Sequence, residues 1–278
     1  MKRFFILATA AIVALASCAK TEVVYNDAPE QIAFKQITGA MTKAFTTDTD
    51  LGVFAYQDGG KHFDNLPFAH NGTAWTNASA FWPYSGNLTF TVYAPYVDGK
   101  AALSGKVLTL TGVSAAEDLY YGEEQVTTAK VNTVPVYLKH LSAKVTVNVN
   151  LGTYTLTSLT LDDACTNGDV TVDYTATPAA VAVTTATLEQ SLDVKTTNTQ
   201  YVLPGEQTSF TISFKQGDLS FTKPLDLGGT WVANTAYTYN ITIANPEQIY
   251  INATVREWDT DLNHNDDLTD DANPVPVV

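Results

Sequence analysis

Apolar and polar residues alternate one for one along much of this chain. Between Lys144 and Leu151, Val145, Val147, Val149 and Leu151 share one side and Thr and Asn the other. Phe210, Ile212 and Phe214 repeat the pattern, as do Tyr237, Tyr239, Ile241 and Ile243. Ile249, Ile251, Ala253 and Val255 follow it, and Leu88, Phe90, Val92 and Ala94 show it earlier. A period of two sends successive side chains to opposite faces of a strand. Each run therefore predicts a strand buried on one face, with its Thr, Asn and Ser face solvated.

Turn signals separate these runs at short intervals. The clearest are Asp58-Gly59-Gly60, Asn71-Gly72, Ser85-Gly86-Asn87, Asp98-Gly99, Pro204-Gly205, Gln216-Gly217-Asp218 and Gly228-Gly229. Such dipeptides reach the positive φ that tight hairpins need. Asp162 to Gly168, which includes Cys165, reads as another turn between strands. Many short strands with such turns predict an all-β chain built as a β-sandwich or two. Ala115 to Gln125 is the one place where a short helix is expected. Val134 to Leu151 is nearly continuous strand, interrupted near Lys139-His140, and a domain boundary is expected near residue 140. The expected organisation is an arm over 18–49, one sandwich over 50–140, and a second over 141–278 ending in an acidic tail. The arm contains one strand-like piece, Gln31 to Ile37.

The first residues change the picture. Lys2 and Arg3 precede an apolar run from Phe4 to Leu15, and Leu15-Ala16-Ser17-Cys18 closes the segment. This is the layout of a secretory signal, residues 1–17, and the run is too short for a stable membrane anchor. Small residues before Cys18 fit a bacterial lipobox, in which the thiol takes a diacylglyceryl group before cleavage. Several acyl chains on one residue anchor a protein stably. The alternative is an ordinary signal whose cysteine is incidental. About 260 residues remain after cleavage, enough for one large β domain or two of ordinary size.

Charge and chemistry narrow the function. The chain carries 29 acidic and 15 basic residues, a formal charge of −14. That disfavours nucleic acid and anionic lipid surfaces as partners. With Cys18 lipidated, Cys165 has no partner for a disulfide, and no cysteine zinc site is possible. None of the four histidines, His62, His70, His140 and His264, has metal-site spacing. No nucleophile elbow or P-loop occurs, and Glu123-Glu124 and Asp162-Asp163 are adjacent pairs that point apart on a strand. No catalytic set and no cofactor are expected. Asp259-Thr260-Asp261-Leu262-Asn263-His264-Asn265 resembles the start of a calcium loop, but His264 stands where glycine is needed. A plain acidic tail is the competing reading, and no metal site is expected.

Trp75, Phe81, Trp82, Tyr84, Tyr93 and Tyr96 cluster in one stretch. Such residues fill sandwich cores, or lie exposed and stack on sugars. Trp82 and Tyr93 are expected in the core. Trp75, beside Asn71-Gly72, is the expected exposed ligand-binding residue, with Tyr120-Tyr121 similar.

The order of motifs resembles the fimbrillin family of Bacteroidales, which includes type V pilus subunits and related surface lipoproteins. The matching pieces are Ile32-Ala33-Phe34, Leu51 to Tyr56, Phe81-Trp82-Pro83, Phe90 to Tyr96 and Asp118 to Gly122. Val136 to Lys144, Tyr201 to Pro204, Trp231 to Ile243 and Ile249 to Trp258 follow in order. The resemblance implies two transthyretin-like sandwiches in tandem, export to the outer-membrane surface, and proteolysis that removes the arm and its first strand. A neighbour's strand would then fill the vacated groove, by β-strand addition. No arginine lies between Arg3 and Arg256, so an arginine-specific cut in the arm is excluded. The expected processing site is Lys43-Ala44, although Lys43 also reads as a plain exposed residue. Pro274 and Pro276 lack the amide hydrogens a C-terminal donor strand would use. The resulting expectation is a structural or adhesive fimbrial subunit, with other pilus subunits, the outer membrane and a host glycan or protein as partners. The alternative is a surface lipoprotein that binds glycans or another ligand.

Overall fold

The computed structural model describes residues 30–36, 49–117, 119–258 and 275–277. All regular secondary structure among them is β. The first eleven strands are β1 (Gln31–Gln36), β2 (Leu51–Gln57), β3 (Gly60–His70), β4 (Trp75–Phe81), β5 (Leu88–Ala94), β6 (Ala101–Ser104), β7 (Val107–Ser114), β8 (Tyr120–Gly122), β9 (Val126–Thr128), β10 (Val134–Val136) and β11 (Leu138–His140). The rest are β12 (Ala143–Asn150), β13 (Thr155–Asp162), β14 (Ala164–Asp173), β15 (Ala180–Glu189), β16 (Leu192–Asp193), β17 (Thr199–Val202), β18 (Gly205–Glu206), β19 (Ser209–Gln216), β20 (Leu219–Asp226), β21 (Thr230–Trp231), β22 (Thr235–Asn245), β23 (Gln248–Glu257) and β24 (Val275–Val277).

The first sheet runs β10-β1-β4-β3-β2-β5-β8-β11, with β9 also on β5. Its core holds Ile32, Phe34, Val53, Phe68, Trp82 and Phe90. Two more sheets, β17-β12-β22-β23-β24 and β16-β13-β19-β20, face each other across a second core. Val145, Tyr239 and Ile241 from one meet Phe210, Ile212 and Phe214 from the other, so these runs bury the faces the pattern predicts, whereas in β23 only Ile249 is buried and Ala253 and Val255 are exposed, because that end of the strand projects beyond the core. A fourth sheet, β15-β14-β7-β6, draws one hairpin from residues 101–114 and another from 164–189. It covers the other face of β2 and β5, enclosing Phe54, Tyr93, Leu108, Leu110, Val170 and Val172 in a third core.

That third layer corrects the expectation of strands buried on one face only. In β2 the first five residues are all buried, and in β5 Thr91 and Tyr93 are buried as well as Phe90 and Val92. Alternation alone does not register a strand whose second face is also covered, because its outward positions need only be small or hydrogen-bonded. Asn65 illustrates this by accepting from the Tyr93 hydroxyl at 2.6 Å.

Hairpin chemistry follows the sequence at Asp58-Gly59, where φ is 49° and 80° between paired Gln57 and Gly60. It fails at Asp162 to Gly168. The chain turns at Asp163, with φ of 52°, while Cys165 to Gly168 lie inside β14. Gly168 is glycine for packing: a Cβ there would sit 2.1 Å from the Thr185 carbonyl oxygen, beside a bulge in the β14–β15 ladder. Among the described residues of 115–125 there is no helix. Tyr120 to Gly122 instead pair with both β5 and β11, so long-range pairing overrides local propensity. The break near residue 140 falls at Leu141-Ser142, between β11 and β12. The proline-bearing end also pairs: Val275 and Val277 oppose Ile251 and Ile249 on β23. β24 is an edge strand, the place in a sheet where proline is tolerated, and Pro276 stands opposite Tyr250.

Candidate functional site

Strand β1 is built like an inserted part. It lies between β10, which it meets in parallel, and β4, which it meets antiparallel. Ile32 and Phe34 point inward and are fully buried, while Lys35 is exposed. The Phe34 ring meets Phe68 and Phe90 edge-on at 5.0 and 5.1 Å. Burying two such side chains stabilises the seat by about 1.5–3 kcal/mol each. The Glu30 carbonyl accepts from the Trp82 amide at 2.9 Å, and Gln31 Nε2 donates to the Asn77 carbonyl at 2.7 Å. The Glu30–Lys130 ion pair is exposed and adds little.

A second cluster joins the first sheet to the second sandwich. Asn234 is buried with φ of 57°, and its polar groups reach both sides. Its Oδ1 accepts from the His140 amide at 3.2 Å and its amide donates to the Ser142 carbonyl at 3.0 Å. Its Nδ2 donates to Glu257 at 3.2 Å, and its carbonyl accepts from the Trp258 amide at 2.8 Å. Nearby, Lys139 pairs with Glu123 at 3.0 Å and Glu257 at 3.2 Å. Burial opposes the charge of Lys139, but the two carboxylates prevail and hold its pKa above the usual lysine range.

The fimbrillin-like family model matches residues 38–258. The chain belongs to the fimbrillin-like family. It is a fimbrial protein of the cell surface and not an enzyme. Among solved structures it is similar to a candidate cell adhesion protein of Bacteroides uniformis, at 16% identity over 82% of this chain and 99% of the other, with a TM-score of 0.59. A candidate cell adhesion protein of Bacteroides ovatus gives 18% identity, 83% and 98% coverage, and a TM-score of 0.57. A fimbrial assembly protein of Parabacteroides distasonis gives 15%, 82% and 99%, and 0.50. At such identities the likeness is one of fold. No protein of curated function matches.

In this fimbrillin-like chain Cys18, Lys43 and Ala44 lie outside the described residues, as does the acidic segment around His264. Trp75 does not have the exposure expected of it. Its indole is buried in the first core at the start of β4, and its Nε1 donates to the Thr49 carbonyl at 2.8 Å. Asn71 makes the local turn, its Oδ1 accepting from the Thr73 and Ala74 amides, and so directs Trp75 inward. Tyr120 and Tyr121 are buried too, on opposite faces of β8, in the first and third cores. Tyr84, four-fifths exposed, is the aromatic that this region presents to solvent. Pro83-Tyr84-Ser85-Gly86 carries the signal that would have found it, a proline and a glycine around one aromatic. Cys165 is a buried free thiol, and burial pushes its pKa up, against thiolate formation. Among the described residues no group of His, Cys, Asp and Glu could hold a metal ion.

Proposed function

We propose that the chain is a structural or adhesive subunit of a type V pilus, exported as a lipoprotein through Cys18 and held first at the outer membrane. After export the arm is cut at Lys43-Ala44, and subunits join by strand exchange. The seating of β1 carries this reading. The cut lies between β1 and β2, so afterwards β1 is held by noncovalent contacts alone. Its departure leaves backbone groups of β4 and β10 without partners, and two apolar pockets where Ile32 and Phe34 sat. A neighbour's strand with apolar residues at alternate positions satisfies both needs. Strand β24 is one donor candidate, since Val275 to Val277 already pair as an edge strand.

The same reading divides the chain into two transthyretin-like sandwiches, 50–140 and 141–278. A first core drawn from residues 32–138 and a second from 143–251 support it, while the third core and the β7–β14 pairing lay the hairpin of 164–189 across that boundary onto the first sheet. The test is Lys43→Ala. Wild-type protein on cells forms a detergent-resistant ladder of multimers, and Lys43→Ala keeps the arm and runs as a monomer. An unchanged ladder in Lys43→Ala overturns the processing step.

A further inference from the structure

A strand at the margin of a sheet offers a row of unpaired N–H and C=O groups, and proteins blunt such edges with shortness, charge or proline. Apart from β15 and β20, the edge strands among the described residues are two to four residues long. The eight-residue β20 carries Lys223 and Pro224. Strand β15 is the exception. It has ten residues, stands at the edge of its sheet beyond β14, and runs from Ala180 to Leu188 without a charge, a proline or a glycine. Its ladder to β14 slips at Thr184, since Thr185 opposes Asp169 while Val183 opposes Val170. The extra residue reverses the alternation of side chains. Val181 and Val183 before it and Ala186 and Leu188 after it therefore share one face, the one that opposes buried Val172, Val170, Gly168 and Cys165. An apolar groove of about 550 Å³ lies along that face, lined also by Trp231 and Val232. Leu188 and Val232 are 52% and 54% exposed on it.

We propose that β15 pairs antiparallel with β15 of a second copy of this chain, about a two-fold axis between Thr184 and Thr185. An isologous contact needs a surface that complements itself, and the apolar pattern of β15 is symmetric about that point. Val181 of one copy meets Leu188 of the other, and Val183 meets Ala186, all on the groove face. On the opposite face Thr184 meets Thr185 and Ala182 meets Thr187. This symmetry favours a second copy over an unrelated strand as the occupant. Charge selects the antiparallel sense, because Glu189 then falls opposite Ala180, whereas parallel pairing sets Glu189 beside Glu189. Two four-stranded sheets join into one of eight strands, an ordinary size. The contact involves neither β1 nor its neighbours β4 and β10, so it does not depend on whether the arm is cut.

The test is made on the unprocessed full chain, with β1 in place, carrying Ala182→Cys and Thr187→Cys together or singly. Both sites are exposed. Five residues of extended strand hold them roughly 15 Å apart within one chain, beyond disulfide reach. Across the two-fold axis they are direct partners. Under mild oxidation the double variant gives a covalent dimer, and neither single variant does. Adding Leu188→Lys or Val232→Lys lowers the yield about tenfold or more, the effect of placing a charge in an apolar contact. Two lysine sites keep the result independent of a folding defect in either one. No dimer from the double variant overturns the proposal, as do equal yields from the single variants. A ladder beyond the dimer, or a yield untouched by both lysines, also overturns it.

Discussion

The imidazole of His140 stacks on the indole of Trp258, with ring centroids 3.7 Å apart and planes 8° from parallel. His140 ends β11 in the first sheet, and Trp258 follows β23 in the second sandwich. Tyr120 meets His140 at 4.5 Å with the planes tilted by 39°, and Tyr201 stacks on Trp258 at 5.4 Å. Four rings from four segments thus form a column across the junction that Asn234 also ties. Trp258→Ala removes the central ring and leaves a void, at an expected cost of about 3 kcal/mol in urea unfolding. A loss below about 1 kcal/mol, the level of a typical surface substitution, contradicts a central role for the column.

Gly52 and Tyr93 are cross-strand partners on β2 and β5, and the tyrosine ring lies over the glycine. A Cβ on Gly52 would sit 2.1 Å from Tyr93 Cε1, well inside contact distance. Gly52→Ala is therefore expected to cost about 1–3 kcal/mol through forced displacement of the ring. In a Tyr93→Leu background the same substitution costs less, and the double-mutant cycle measures the difference. Equal costs in both backgrounds would sever the link.

Tyr93 and Tyr239 weaken the fold at alkaline pH, together with Tyr174 and Tyr237, whose phenols burial also raises. Burial pushes the Tyr93 and Tyr239 phenols up to about 12, against an ordinary value of 10.0. Above pH 10 the unfolded chain releases these protons and the folded chain does not, so stability falls as pH rises from 10 to about 12. Each phenol accounts for a loss of about 2–3 kcal/mol across that window. Stability below pH 10 is unaffected by this linkage. Tyr93→Phe with Tyr239→Phe makes the profile between pH 10 and 12 less steep, measured by urea midpoints at each pH, with Tyr174 and Tyr237 carrying the remainder. An unaltered slope places the alkaline loss elsewhere.

Phe34 is the anchor of β1. Phe34→Ala in the unprocessed chain is expected to cost about 3–5 kcal/mol and to loosen β1 first. Hydrogen exchange then quickens in β1, β4 and β10 ahead of the second sandwich. Uniform quickening through the whole molecule would contradict a separately seated strand.

The alternating runs were legible because a half-buried sandwich strand writes its burial into the sequence, as Phe210, Ile212 and Phe214 do. The strand of the arm was legible for the same reason, in Ile32 and Phe34. Three things were not. The sheet shared by β7 and β14 joins residues some sixty positions apart, such as Leu110 and Val170, and no local pattern encodes that pairing. Trp75 was misplaced because a nearby Asn-Gly suggests a loop without saying which way the next side chain points. The burial of Tyr174 was invisible, because tertiary packing alone places it in the third core.

The central claim is that β1 is removed and its seat refilled by a neighbour. The most direct measurement is the N-terminal sequence and intact mass of protein sheared from cells. The account predicts a chain that begins at Ala44, migrating as a ladder of multimers. Protein that stays with the membrane, uncut and lipidated at Cys18, would contradict it.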